Sequence, residues 1–262
     1  MTMSKGHLLA DDEPPPVLVE GLDRCARFLI CVDHASARIP RRLGDLGLPA
    51  AELARHVAWD IGALAVARLI AKALDAPLVA QNYSRLVIDC NRDPKVPSSI
   101  PAIAEYHEVT GNLHLSLDDS MQRRIEIFEP YHATIRAILD ERKARGADTI
   151  LIAQHSMTDR YKGSHRPMHA AVLYNRDRRF AGLVLDALRQ DTGVLIADNE
   201  PYFVSDETDY TVPVHAEARG LPYVEIELRQ DLVSDQSGQH TWANYVIRAL
   251  RSAERSFIEA YP

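Results

Sequence analysis

The run Phe28-Leu29-Ile30-Cys31-Val32 constrains the fold more than any other stretch of this chain. With Arg27 ahead of it, it is a continuous apolar segment of strand length. Such a segment has to be covered on both faces, as the inner strands of parallel sheets are. It stops at Asp33-His34-Ala35-Ser36, and Pro40 ends any regular element soon after. Thr149-Ile150-Leu151-Ile152-Ala153 repeats the pattern and stops at Gln154-His155-Ser156. A third run, Pro222-Tyr223-Val224-Glu225-Ile226-Glu227-Leu228, is a strand with carboxylates at alternate positions. Open α/β sheets hold their ligands at the carboxyl ends of such strands.

Helical patterns separate these runs. Residues 51–74 read as one Ala- and Leu-rich helix, apolar nearly all round from Val57 to Ala71, where Asp60 and Arg68 are the only charges. Further helices are expected over 118–144, 177–190 and 239–259, and short strands over 77–80, 86–88, 169–174 and 194–197. Residues 94–117 read as a long loop with short helical turns, and 211–219 as helical or irregular. The alternation predicts an α/β fold, a three-layer α/β/α sandwich with a mixed, mainly parallel sheet. A chain of 262 residues suits a single α/β hydrolase-type domain, placed at 23–262. Residues 1–22, with Asp11-Asp12-Glu13-Pro14-Pro15-Pro16, are expected to form a flexible N-terminal arm.

Thirty Lys and Arg against 37 Asp and Glu give a net charge of −7, which argues against a nucleic-acid or membrane-surface partner. Cys25, Cys31 and Cys90 have no CxxC spacing and read as reduced thiols of a cytoplasmic protein. The N-terminus has no apolar core of a signal peptide. No Gly-x-Ser-x-Gly elbow, phosphate loop or Gly-x-Gly-x-x-Gly turn is present. A homo-oligomer is left open.

The candidate site residues are the polar ones at strand ends. His34 and His155 stand in matching positions and suit a divalent metal, zinc first; the plainer reading is that each bonds a neighbouring loop. Asp60 is the third candidate ligand, because a buried carboxylate needs a counter-charge, which an arginine could equally supply; His56 is a weaker option. Glu225 and Glu227 share one side of their strand. They suit a general base beside a metal or a metal ligand, or else form an exposed strand face. Ser84-Arg85 and Asp89-Cys90-Asn91-Arg92-Asp93-Pro94 suit a small anionic substrate, since arginine forks bind carboxylates in pairs. Asp89 and Asp93 are expected to orient the two arginines. Tyr202 and His215, with Asn199, are further candidate contacts to the substrate or to the residues around it, surface-loop roles being the plainer reading of each.

Asp33-His34-Ala35-Ser36, the Asp60 segment, Ser84-Arg85 to Asn91-Arg92, His155-Ser156-Met157 and Glu225-Ile226-Glu227 occur in an order that resembles the N-formylglutamate amidohydrolase family, in its broader and less characterised branch. The resemblance covers residues 25 to 255 and implies a fold similar to zinc carboxypeptidases and aminoacylase-type deacylases. There, two strand-end histidines and a glutamate three residues after the first hold zinc. The resemblance makes His34 and His155 those histidines, Asn91-Arg92 the pair that holds substrate carboxylate, Arg85 a separate arginine, and Glu227, or else Glu225, the base. Ala37 stands where the glutamate ligand would be, so Asp60 has to replace it. The implied activity is zinc-dependent removal of an N-formyl or other small N-acyl group from an acidic amino acid such as N-formyl-L-glutamate. The alternatives are a deacylase or peptidase for a different N-acyl amino acid, or a metal-free binder of small anions.

Overall fold

The computed structural model describes residues 6–261. Its strands are β1 (Val17–Glu20), β2 (Phe28–Val32), β3 (Leu78–Gln81), β4 (Ile103–Ala104), β5 (His107–Glu108), β6 (Ile150–Met157), β7 (Arg160–Tyr161), β8 (Ser164–His165), β9 (Ala170–Leu173), β10 (Ile196–Asp198) and β11 (Tyr223–Arg229). Its α-helices are α1 (Ala50–Leu53), α2 (Ala63–Leu74), α3 (Leu117–Arg123), α4 (Glu129–Ala144), α5 (Arg179–Thr192) and α6 (Gln236–Ala260). Seven strands make the central sheet, in the order β1-β3-β2-β6-β11-β9-β10. Its pairings are parallel except β1 with β3 and β11 with β9, so the sheet is mixed and mainly parallel, as the sequence implied.

Strand β2 shows why its apolar run had to be central. Phe28, Ile30 and Val32 face a core formed with α2, α5 and α6, while Leu29 and Cys31 face a second core that includes Phe128, Tyr131, Ile135 and Leu139 around α4. The two cores on opposite sheet faces make the three layers. Each fully buried Ile or Leu here contributes roughly 1.5–3 kcal/mol of transfer free energy.

Several local expectations change. The helix expected over 51–74 is interrupted: α1 ends at Leu53 and α2 begins at Ala63. Gly62 makes the break, with φ of 81° and a backbone so near Val233 that a Cβ would lie 2.2 Å from its carbonyl oxygen. Asp60 therefore sits in the turn before α2 and not on a helix.

Leu86-Val87-Ile88 is buried but pairs with no strand. Side chains satisfy its backbone instead: Asn112 Nδ2 donates to the Leu86 carbonyl and the buried Arg123 guanidinium to that of Val87. The 118–144 helix runs through a π-helical turn at Arg124–Phe128 between α3 and α4.

The N-terminal arm is not loose over its described part. Residues 17–20 are β1, paired with β3, because β3 would otherwise leave an open sheet edge. Leu8 is buried, and the Leu8 and Leu9 N–H groups donate to Glu126. The first five residues lie outside the described ones. No described helix is long and apolar enough to cross a membrane.

Candidate active site and metal centre

Three neighbouring strands aim their polar residues at one place. Asp33 and His34 follow directly on β2; His155 lies within β6, which runs on to Met157. In the parallel register of β6 and β11, Glu227 stands beside His155 and Glu225 beside Ala153. Paired positions of adjacent strands share a face, so His155 and both glutamates point the same way. The fourth contribution comes from the turn before α2, pinned to β2's exit by a 2.9 Å bond from the Asp60 N–H to the His34 carbonyl.

His34, Asp60 and His155 converge there, all buried, each offering a ligand atom within 4.8 Å of the others. Asp60 Oδ2 lies 2.8 Å from His155 Nδ1 and 3.4 Å from His34 Nδ1. The far nitrogen of each imidazole meets a second carboxylate. His34 Nε2 is 2.7 Å from Asp89 Oδ1, a hydrogen bond; His155 Nε2 is 3.3 Å from Asp33 Oδ2, close but poorly aligned for one. Histidines that bind metals keep such carboxylates behind them, which fix the ring and its tautomer.

The electrostatics call for added positive charge. Burial alone would raise the Asp60 carboxyl, but the His34 and His155 imidazoles hold it well below the usual carboxylate range. Burial, and then Arg85, would lower His34; Asp89 and Asp60 overcome both and raise it. For His155, Glu225, Asp33 and Asp60 outweigh burial and raise it well above the ordinary imidazole value. Two imidazoles among several buried carboxylates demand a cation, which protons or a divalent metal supply. Two histidine nitrogens and one carboxylate oxygen, with carboxylates behind the rings, fit zinc or a similar metal.

The two strand glutamates differ. Burial, together with the charges of Asp209, Glu227 and Asp33 and against His155, raises Glu225 well above its usual range. Burial, opposed by His155, leaves Glu227 at about 7. Glu227 Oε1 accepts a 2.6 Å bond from the Tyr202 hydroxyl, while Oε2 is buried with no partner. A carboxylate with one oxygen anchored and one free, poised near neutrality, has the properties of a general base.

His34, Asp60, His155, Glu225 and Glu227 border a cavity of about 490 Å³ that Arg85, Asn91, Arg92 and Tyr202 also line. Arg85 is already engaged: its Nε and Nη2 donate to Asp89 Oδ2, and Nη1 is 3.6 Å from Asp60 Oδ1. Asn91 is spent as well, its Oδ1 accepting the Tyr210 and Thr211 N–H groups and its Nδ2 donating to Asp209. Arg92 has no carboxylate partner among the described residues.

Some expected roles move. His215 is not at the cavity: it is buried against His132, 2.8 Å between Nε2 and Nδ1, because the segment 212–216 turns inward. Asn199 serves the backbone, accepting the Tyr174 N–H. Asp89 does hold Arg85, as expected, and also backs His34; Asp93 accepts the Lys95 N–H instead of an arginine. His56 lines the cavity without joining the His34 group. Sequence reasoning missed Asp33 as the carboxylate behind His155 and the Tyr202–Glu227 bond. Asp33 could have been suspected from its place beside His34, whereas nothing local links residue 202 to residue 227.

The sequence profile of the N-formylglutamate amidohydrolase family matches residues 26–234. Among solved structures, the chain is 35% identical to the gene product Atu2144 from Agrobacterium tumefaciens, with a TM-score of 0.93, over 95% of this chain and 99% of that one. N-formylglutamate amidohydrolase from Ralstonia eutropha JMP134 is 19% identical and shares the fold, with a TM-score of 0.67 over 92% of this chain and 98% of that one. No curated protein matches. The family profile thus spans the strands that bring His34, Asp60, His155 and Glu227 together, and the chain belongs to the N-formylglutamate amidohydrolase family.

Proposed function

We propose that this protein is a metal-dependent amidohydrolase that removes an N-formyl or other small N-acyl group from an acidic amino acid such as N-formyl-L-glutamate. The observation that carries this reading is the position of Glu227, beside His155 across the β6–β11 ladder, with Oε2 unpartnered and the residue lining the same cavity as the His34-Asp60-His155 group. Family membership supports the amide-hydrolase class.

A divalent metal held by His34, Asp60 and His155 would supply Lewis acidity toward the acyl carbonyl and acidify the attacking water. Glu227 takes the water's proton at Oε2 and delivers it to the amide nitrogen as the C–N bond breaks. The Tyr202 hydroxyl steadies Oε1 meanwhile, so the carboxylate stays aimed at the cavity. Arg85, fixed by Asp89, keeps a positive charge beside the developing oxyanion without having to reorganise. Arg92 receives a substrate carboxylate, and Asn91 acts by holding the 209–211 segment in place. Glu225 shapes the cavity wall. Ala37 removes nothing from this scheme, because Asp60 supplies the carboxylate.

A second reading, a larger acyl group, is favoured by the aromatic lining of Tyr161, Tyr202 and Phe203. The test is hydrolysis of N-formyl-, N-acetyl- and N-succinyl-glutamate by the zinc-loaded chain, followed by release of free glutamate. Turnover of N-formylglutamate above the others is expected. Turnover of N-succinylglutamate alone selects the second reading, and hydrolysis of none removes both.

A further inference from the structure

Three arginines line the cavity, but they are not equivalent. Arg85 is ion-paired with Asp89 and lies 3.6 Å from Asp60. Arg92 and Arg166 are half-buried, and neither has a carboxylate partner among the described residues. Arg166 lies just beyond the β7–β8 hairpin, on a different part of the chain from Arg92. Its Cζ sits 5.3 Å from the ring centroids of both Tyr161 and Tyr202, contacts that hold the guanidinium plane. Its side-chain hydrogen bond runs from Nη1 to the Thr158 carbonyl at 3.5 Å, long enough to be weak. Most of its five donors are therefore unspent at the cavity wall.

The hairpin that leads into Arg166 is itself braced. Glu105 accepts the Lys162 N–H with one oxygen and pairs with Arg55 through the other, and the Arg166 N–H bonds the Asp159 carbonyl at 2.8 Å. The arginine is thus held on both sides of its backbone and by aromatic contacts, yet left without an anion. Two unpaired guanidiniums on one small cavity fit a ligand with two carboxylates.

We infer that Arg166 is a specificity-determining residue: it receives one carboxylate of a dicarboxylic amino-acid substrate, and Arg92 receives the other. This rests on the amidohydrolase reading for the identity of the ligand, but the pairing of charges can be read without turnover.

The experiment compares zinc-loaded wild type, Arg166→Met and Arg92→Met on N-formylglutamate and on its two isosteres with one carboxylate replaced by an amide, N-formylglutamine and N-formylisoglutamine. Wild type should discriminate against both amides. Arg166→Met should erase discrimination against one of them by about 10- to 100-fold, and Arg92→Met against the other, the range expected for losing a charge-assisted hydrogen bond pair. A purely structural role, in which Arg166 only supports Tyr202, would lower kcat/KM for all three substrates by the same factor and would overturn the proposal. So would an unchanged preference.

Calorimetric binding of glutarate and butyrate to the same proteins separates this from the parent reading. Should wild type hydrolyse none of the formyl substrates, the parent reading fails. The Arg166 assignment then stands only if the preference for glutarate over butyrate falls in Arg166→Met, and falls itself if that preference is unchanged.

Discussion

Asp60 Oδ2 stands 2.8 Å from His155 Nδ1, although the two residues are 95 apart in sequence. One comes from a turn fixed by Gly62 and the other from the centre of the sheet, so the contact depends on the packing of α2 against β6. It makes Asp60 the link between the two histidines and gives a family member with Ala37 a carboxylate at its candidate metal centre.

Glu227 and Glu225 should respond differently to the same change. Glu227→Gln removes the free Oε2 base and is expected to lower kcat by about 10²–10⁴ with zinc content unchanged. Burial pushes the Glu225 carboxyl well above its usual range, away from the ionised form a base needs, so Glu225→Gln, an amide of the same shape, should cost less than about 10-fold. Steady-state kinetics with parallel metal analysis checks both, and equal losses would contradict the assignment.

Tyr202 donates to Glu227, which favours the ionised carboxylate and holds its pKa down against burial. Tyr202→Phe removes that bond, so Glu227 should hold its proton to higher pH. The acidic limb of kcat/KM against pH is then expected to move upward in the variant. A limb that stays in place or moves down would separate Tyr202 from the base.

Asp89 accepts from both His34 and Arg85, tying the imidazole to the arginine. Asp89→Asn keeps the shape but removes the charge behind the ring. Zinc affinity should fall by about 10- to 100-fold, measured by competition with a chelator.

The buried pair of His132 and His215 predicts a stability effect away from the cavity. Burial holds His132 down at about 4, and burial with His132 holds His215 at about 3. Both lie below the ordinary value of about 6.5 for an unfolded chain. Their contribution is therefore fully present above about pH 6.5 and is lost as pH falls through that value toward 4. Between pH 7 and pH 4, wild type should lose on the order of 3 kcal/mol relative to His132→Gln in urea unfolding. Parallel curves would contradict this.

The sheet and the convergence of His34 and His155 were legible in the sequence because buried parallel strands leave continuous apolar runs, and the two histidines stand at the ends of two of them. Asp60 was legible as a buried charge but not as a turn residue, since the helical pattern of 51–74 continues through Gly62. The failure at Leu86-Val87-Ile88 has a clear cause: Asn112 and Arg123 satisfy its backbone, and an apolar triplet cannot show whether its partners are strands or side chains. His215 was misplaced for a similar reason, because a polar residue on a short helical turn can face either the cavity or the core. Arg166 gave no local signal, since its neighbours Tyr161 and Tyr202 meet it only in the fold.

The central claim is that His34, Asp60 and His155 form one divalent-metal site, and the metal content of purified protein dialysed against zinc tests it most directly. Wild type should retain about one zinc per chain, and Asp60→Ala and His155→Ala less than about a tenth of that, as loss of one of three protein ligands demands. Zinc retained at the wild-type level by both variants, or absent from wild type itself, would contradict the account.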